Sequence, residues 1–503
     1  MEIAPTTSPP RPPQEPPCNS RRFLCLLLVA ALHLAIVSPA LEAFTNPADE
    51  GAALVYPELL LKGIIAHRDY ESFYPPGNIW FLAGAYKIFG TTQFTERCVG
   101  TLYQLLIIAG IFILFESRGV VVAIAGCILS SIIMSKPGVT ALAWNCGLAW
   151  AIWAVAIASR PGANRARAIW TGIFAALALT WRADLAPAVI LGVGACCIRM
   201  KWRRNDYLWL CLAGAITLIP LMIHAWIATP AAFFDNVFYS PVIRAHNGRS
   251  LPLNFSNAYI GELYTLTILG AVSALWGAWM VRKDPEGSPL PGAALLALGI
   301  LPQAYQRLDL IHLTFVAAFA IPLLVLAGSC LSRHWSTPLV IAAAVCLAMP
   351  QELRSIVGSY TQKSRLYEIR SGNRLIYGSF PREQAVVDFL QLYAKPNETL
   401  FVGPKDLRYA ISTDTDLYYL LPDLRPSTYF LEFNPLSANR KDSRLAADVA
   451  KADWVVLNSI WNNAYEPNAS GIPGPDAPNE VIRTKFKLLL SAPPFTVYRR
   501  IGS

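Results

Sequence analysis

Eleven long apolar runs limit what this chain can fold into. They lie at about 23–41, 99–115, 119–134, 139–158, 168–181, 185–198, 207–228, 260–281, 290–304, 312–331 and 337–350. A helix crossing the hydrocarbon core needs roughly 20 apolar residues, and lipid tolerates no unpaired backbone polar groups. Only 15% of the 503 residues are charged, against about 25% in soluble domains. The fold class expected is a polytopic α-helical membrane protein of about 11 spans. The net charge of +9 reads as loop charge on the cytoplasmic side of such a protein. No basic stretch carries interleaved aromatics, which argues against nucleic acid as a partner.

The loop charges test the topology. Basic clusters stand at Arg21/Arg22, Arg118, Arg160/Arg165/Arg167, Arg199/Lys201/Arg203/Arg204, Arg282/Lys283 and Arg333/His334. With the N-terminus inside, all six fall on the cytoplasmic face. This requires that NIWFLAGAYKIFG (78–90) does not cross. Its thirteen residues reach about 20 Å as a helix, short of the ~30 Å core, so a helix at the outer interface is expected. Residues 1–22 are Pro-rich and read as a disordered cytoplasmic tail. The run after Arg22 resembles a signal peptide, with small residues at Ser38-Pro39-Ala40, but its length favours an uncleaved first helix. Ten cysteines show no metal-binding or disulfide spacing, and buried thiols are expected.

The composition changes after 350. EQAVVDFLQLYA (383–394) and LAADVAKA (445–452) have helical spacing; ETLFVG (398–403) and DWVVLNS (453–459) read as strands; SGIPGPDAPNE (470–480) reads as a loop. The division expected is a tail over 1–22, a transmembrane domain over 23–350 with a large first external loop at 42–98, and an extracytoplasmic α/β domain over 351–503.

That topology gathers ionisable residues on the outer face: Asp49, Glu50, Arg68, Asp69, Arg97, Lys136, Arg182, Asp184, Arg307, Asp309 and His312. At the membrane boundary such groups cost several kcal/mol unless paired or facing water. Ion pairing between helices explains any one of them. The whole set suits a polar cavity opening outward. Asp49 and Glu50 follow Asn46-Pro47-Ala48, where acidic residues favour a helix N-terminus. The same position suits a general base held rigidly at the interface.

The order NPADEG (46–51), HRDYESFYPPG (67–77), Trp80, KIFG (87–90) and Glu96-Arg97, followed by LTWRADLAP (179–187) and QRLDLIHL (306–313), resembles the GT-C superfamily of membrane glycosyltransferases. The likeness is nearest to the bacterial protein O-mannosyltransferase and aminoarabinose-transferase branch, and it covers roughly residues 23–350. The resemblance implies an inverting hexosyl- or pentosyltransferase of the cell envelope. It would move a sugar from a polyprenyl-phosphate donor to a glycan, lipid or protein acceptor at the outer leaflet of the cell membrane. It implies Asp49 as base, with Glu50 and Asp69 as further catalytic carboxylates. It also implies Arg97, Lys136, Arg182 and Arg307 as ligands of the donor phosphate, since fixed cations stabilise a departing phosphate. Arg68, Tyr74, Asp184, Asp309 and His312 are candidate substrate contacts.

Asp49, Glu50 and Asp69 have the oxygen chemistry for a divalent ion, but monophosphate donors do not call for one, and no metal is expected. DTD (414–416) reads as a solvated loop, because an isolated D-x-D is a weak signal. The competing class is a transporter or flippase of lipid-linked glycans, which would show repeated halves with broken helices; none is visible. A membrane scaffold or receptor would leave the acidic first loop unexplained. YFLEFNPLSANR (429–440) and WNNAYEPNASG (461–471) are rich in Asn and aromatics, as sugar-contacting loops are, though turns and packing explain them equally well.

Overall fold

A computed structural model of the chain describes residues 19–162, 164–283, 288–332, 334–361, 366–378 and 381–502. The Pro-rich stretch up to position 18, including Cys18, and Arg333 of the last basic cluster lie outside the described residues. The first helix, Asn19–Val37, begins inside the stretch assigned to the tail and contains Arg21 and Arg22.

Each apolar run becomes helix. Gln93–Phe115, Val120–Met134, Ala143–Ala158, Arg165–Trp181, Ala186–Arg199, Arg204–Ile227, Ala258–Met280 and Leu290–Gln306 follow in turn. The run near 312–331 divides into Leu310–Ala320 and Leu323–Leu331 around Pro322, which has no N–H to continue the ladder. Thr337–Leu347 stops short of Pro350, and the chain leaves at an angle of 76° along Pro350–Tyr360. Among the described residues five helices are long and apolar enough to cross a membrane, or six if that bent pair is one span. The others are shorter: Ala186–Arg199 has 14 residues, about 21 Å. Four of the cysteines, Cys127, Cys146, Cys196 and Cys197, are buried as expected, while Cys98 and Cys211 are exposed.

The basic loops collect at one end of the bundle. Arg160 lies 3.5 Å from Glu116, and Arg199 donates to the carbonyls of Val281 and Arg282 at 2.6 Å. The stretch expected at an interface is the helix Gly77–Phe89, on the opposite end.

On that opposite end sits the C-terminal domain. Strands β1 (Tyr367–Ser371) and β2 (Arg374–Gly378) form a hairpin. Strands β3 (Thr399–Pro404), β4 (Arg425–Pro426), β5 (Trp454–Asn458), β6 (Phe486–Ala492) and β7 (Phe495–Arg500) form one mixed sheet in the order β4-β3-β5-β7-β6. β3 runs parallel to β4 and β5, and β7 antiparallel to β5 and β6. Successive side chains point to opposite faces. Phe401, Val455 and Leu457 enter one core; Leu400, Val402, Trp454 and Val456 enter another. The expected loop at 470–480 ends early, because Ala477–Lys485 is a helix begun by Pro478 near its first turn.

The second core contains a guest. Leu54, Val55, Tyr56 and Leu59, from the helix Asp49–Leu61 of the first loop, pack with Leu417, Tyr418 and Val456 of the C-terminal domain. Glu58 binds Arg374 at 2.7 Å. Gly51 leaves no room: a Cβ there would lie 2.6 Å from the backbone nitrogen of Asp416. Gly51→Val should therefore lower stability by about 1–3 kcal/mol, the usual cost of overpacking. Gly84→Ala, at a site with nothing within 4 Å, should not. Thermal unfolding of the detergent-solubilised chain checks both.

Candidate active site

The helix Asp49–Leu61 puts Asp49, Ala52, Ala53, Tyr56 and Pro57 on one face, spaced i, i+3, i+4, i+7, i+8. That face walls a cavity of about 470 Å³ between the bundle and the C-terminal domain. Asn46 starts the helix: its Oδ1 accepts from the backbone of Ala48 and Asp49, both at 3.0 Å, and its Nδ2 donates to Asp49 Oδ2 at 3.1 Å. Helix capping and a cavity carboxylate thus coexist at Asp49.

The YPPG stretch builds a second wall. Gly77 opens its helix against the end of Arg165–Trp181, where a Cβ would meet Thr180 O at 2.5 Å. This brings Tyr74 under Arg182, whose guanidinium lies 4.3 Å from the Tyr74 ring centroid and 5.5 Å from that of Trp144. Arg182 is buried and pairs with Asp184 at 2.5 Å. The third wall starts where Leu290–Gln306 ends. Arg307 binds Asp309 at 2.6 Å and also pairs with Glu466 of the C-terminal domain. Asp309 caps the next helix and accepts from His312 Nδ1 at 2.9 Å. Burial pushes the Asp309 carboxyl up, but its hydrogen bond and charge interaction with His312 and the Arg307 charge outweigh this and hold it down at about 2.

Four further polar or aromatic side chains line the cavity. Arg249 donates to Tyr74 Oη at 3.2 Å and, among the described residues, pairs with no carboxylate. Glu432 comes from the 429–440 stretch, and Trp461 and Glu466 from 461–471. Sequence reasoning missed Arg249 because it sits in mid-loop, not at a span end. It left the two Asn- and aromatic-rich stretches open; both line the cavity. Asp49 is reached by water yet ringed by protein, and this enclosure raises its carboxyl despite the His312, Arg307 and Arg249 charges. Glu432 is pushed up to about 7, first by burial and then by the negative charge of Asp49.

Several expected site residues are elsewhere. Glu50 and Arg97 form a buried pair, Nε to Oε1 at 2.7 Å and Nη2 to Oε2 at 3.0 Å, with Gln93 and the Leu41 carbonyl closing the network. Neither lines the cavity: the structure pairs Glu50 with Arg97 and does not bring either to Asp49's side of the helix. Asp69 accepts from Arg68 at 2.8 Å and from the Ile65 backbone at 2.7 Å, closing a turn away from the cavity. Lys136 reaches Ser355 at 3.3 Å and the Tyr259 ring, also outside the lining. Asp49, Glu50 and Asp69 consequently do not converge on a common point. DTD is not a solvated loop: Asp414 and Asp416 are buried beside the helix Asp49–Leu61.

No family model matches the chain, and no curated protein matches it. Solved structures do. The crystal structure of ArnT from Cupriavidus metallidurans bound to undecaprenyl phosphate aligns at a TM-score of 0.59 with 13% identity, over 97% of this chain and 99% of that one. ArnT in the apo state aligns at 0.57 with 13% identity, over 95% and 98%. The chain shares the fold of these two structures. Its long apolar helices make this a multi-pass membrane protein, with a β-containing C-terminal domain.

Within this fold the Glu50–Arg97 pair should matter for stability. Arg97→Met strands a buried carboxylate and should cost about 3–5 kcal/mol. The double change Glu50→Gln with Arg97→Met should recover most of that loss. Unfolding midpoints of the three purified proteins decide it.

Proposed function

We propose that this chain is a membrane glycosyltransferase that moves a sugar from a polyprenyl-phosphate donor to an acceptor at the outer leaflet. The observation that carries the reading is a single cavity with Asp49 on one wall and Arg182, Arg249 and Arg307 on the others, in a fold shared with the crystal structure of ArnT bound to undecaprenyl phosphate. Asp49 takes the proton from the acceptor nucleophile. That atom attacks the anomeric carbon from the face opposite the phosphate, so configuration inverts. The bond between that carbon and the phosphate oxygen breaks, and the lipid phosphate leaves with the electron pair. Fixed cations in a cavity partly shielded from water stabilise the charge that develops there. Arg182 and Arg307 are already neutralised by carboxylates, so Arg249 is the cation with charge to spare. With the leaving group met by arginine, the step as written calls for no metal.

The same reading has eleven spans, a cytoplasmic N-terminus and an extracytoplasmic C-terminal domain in the cell membrane. Its support is the basic loops at the bundle end opposite the cavity.

Purified protein supplied with polyprenyl-phosphate sugars and membrane extract tests the activity; absence of transfer to any acceptor would reject it. Asp49→Asn should lower kcat by roughly 10²–10⁴-fold, the contribution of a general base, without loss of folded protein. Arg249→Ala should weaken donor binding about tenfold or more, since a hydrogen bond to a charged group contributes about 1.5–3 kcal/mol. The pH profile has a definite sign. Rate should rise with pH as Asp49 ionises, along a limb above the ordinary aspartate range. Above pH 7 Glu432 becomes negative and opposes the anionic donor, so donor KM should climb there in the wild type and stay level in Glu432→Gln.

A further inference from the structure

A second, smaller pocket of about 130 Å³ lies in the C-terminal domain beside the main cavity. Asp406, Tyr409, Trp461, Asn462, Asn463 and Tyr465 line it, and Trp461 and Ile411 belong to both cavities. We infer that this pocket is a carbohydrate subsite that holds the glycan portion of the acceptor next to the reacting centre. The inference rests on the glycosyltransferase reading for the word acceptor, but the binding of sugar is its own claim.

The chemistry of the lining carries it. A pyranose or furanose ring has a C–H face that is apolar and a rim of hydroxyls. Flat aromatic faces take the first; amide and carboxylate groups, which both accept and, for Asn, donate, take the second. The pocket supplies both at once. The Tyr409 and Tyr465 rings meet at 4.8 Å between centroids, tilted by 47°, and Asn462, Asn463 and Tyr465 are exposed. Asp406 is held by Arg408 at 2.6 Å and Asn479 at 2.9 Å, so its position is set before any ligand arrives. A lipid chain would leave the amides and the carboxylate unmatched. Among the described residues no cation lines the pocket, and Arg408 beside it is already paired with Asp406, which disfavours a phosphate.

The buried DTD segment gains a purpose here. Trp461 Nε1 donates to Asp414 Oδ2 at 3.2 Å, and Asn458 Nδ2 donates to the same carboxylate at 3.0 and 3.1 Å. Asp414 thereby orients the indole at the junction of the two cavities, and it acts as a positioning residue. Every residue of the small pocket comes from the C-terminal domain and none from the bundle. The donor's phosphate is to be met by arginines of the bundle and its loops, so the sugar bound here is the acceptor's.

The test uses the full chain in detergent against an array of neutral oligosaccharides and an array of peptides. A separate arm measures the thermal shift given by undecaprenyl phosphate. The wild type should bind at least one oligosaccharide series. Tyr465→Ala, Tyr409→Ala and the exposed-site change Asn463→Ala should each lose tenfold or more of that binding, Tyr465→Phe should keep it, and the undecaprenyl phosphate shift should be unchanged in all. The inference is overturned if no oligosaccharide binds, if only peptides bind, or if the folded alanine variants bind glycan like the wild type. An undecaprenyl phosphate shift absent from the wild type, with glycan binding intact, would overturn the donor reading instead and leave a sugar-binding pocket.

Discussion

The buried pair of Glu50 and Arg97 sets the rotation of the helix Asp49–Leu61, and the cavity depends on that rotation. Neighbouring helix residues are about 100° apart around the axis. With Glu50 held toward Arg97, Asp49, Ala52, Ala53 and Tyr56 must turn to the cavity. A buried ion pair is weak evidence for stability, because desolvation offsets much of its attraction. Its effect here is to specify one orientation among several that apolar packing alone would accept. The opposite side of the same helix is fixed by Gly51 against Asp416 and by Glu58 against Arg374.

The site is thus a junction and not a feature of either part alone. The bundle supplies Arg182, Asp309 and His312 at helix ends, where a broken backbone ladder coincides with a polar group. The C-terminal domain supplies Glu432, Trp461 and Glu466 from loops that follow its strands. Arg307 and Glu466 tie the two together.

Much of this was legible in the residues. Apolar run lengths gave the long helices of the bundle, and Pro322 and Pro350 mark where those runs break, while the helical segments over 230–249 and 350–361 lie outside the runs. Asp49, Tyr74, Arg182, Arg307, Asp309 and His312 reach the cavity as expected, because charge at a span end has few places to go. Pairing was not legible. Glu50 stands next to Asp49, and nothing in their order says that one faces Arg97 and the other faces water. Asp69 is adjacent to Arg68 and spends its charge there. Lys136 shares the outer end but stands to one side. The burial of DTD depends on a helix far away in sequence, and Arg249 sits in a loop with no period to read. The hairpin β1–β2 and the pair β6–β7 also went unread, since their partners are defined by turns and not by hydropathy.

Asp49 and Trp461 are nearly at opposite ends of the chain, so the cavity cannot exist on an unfinished polypeptide. At roughly 5–20 residues per second, synthesis of the intervening stretch takes on the order of tens of seconds. During that interval the first loop waits beside the bundle with its apolar face, Leu54, Val55 and Leu59, uncovered. The ribosome's order thus delays competence until the last strand has paired, and quality-control factors have an exposed surface to recognise on every chain that stops short.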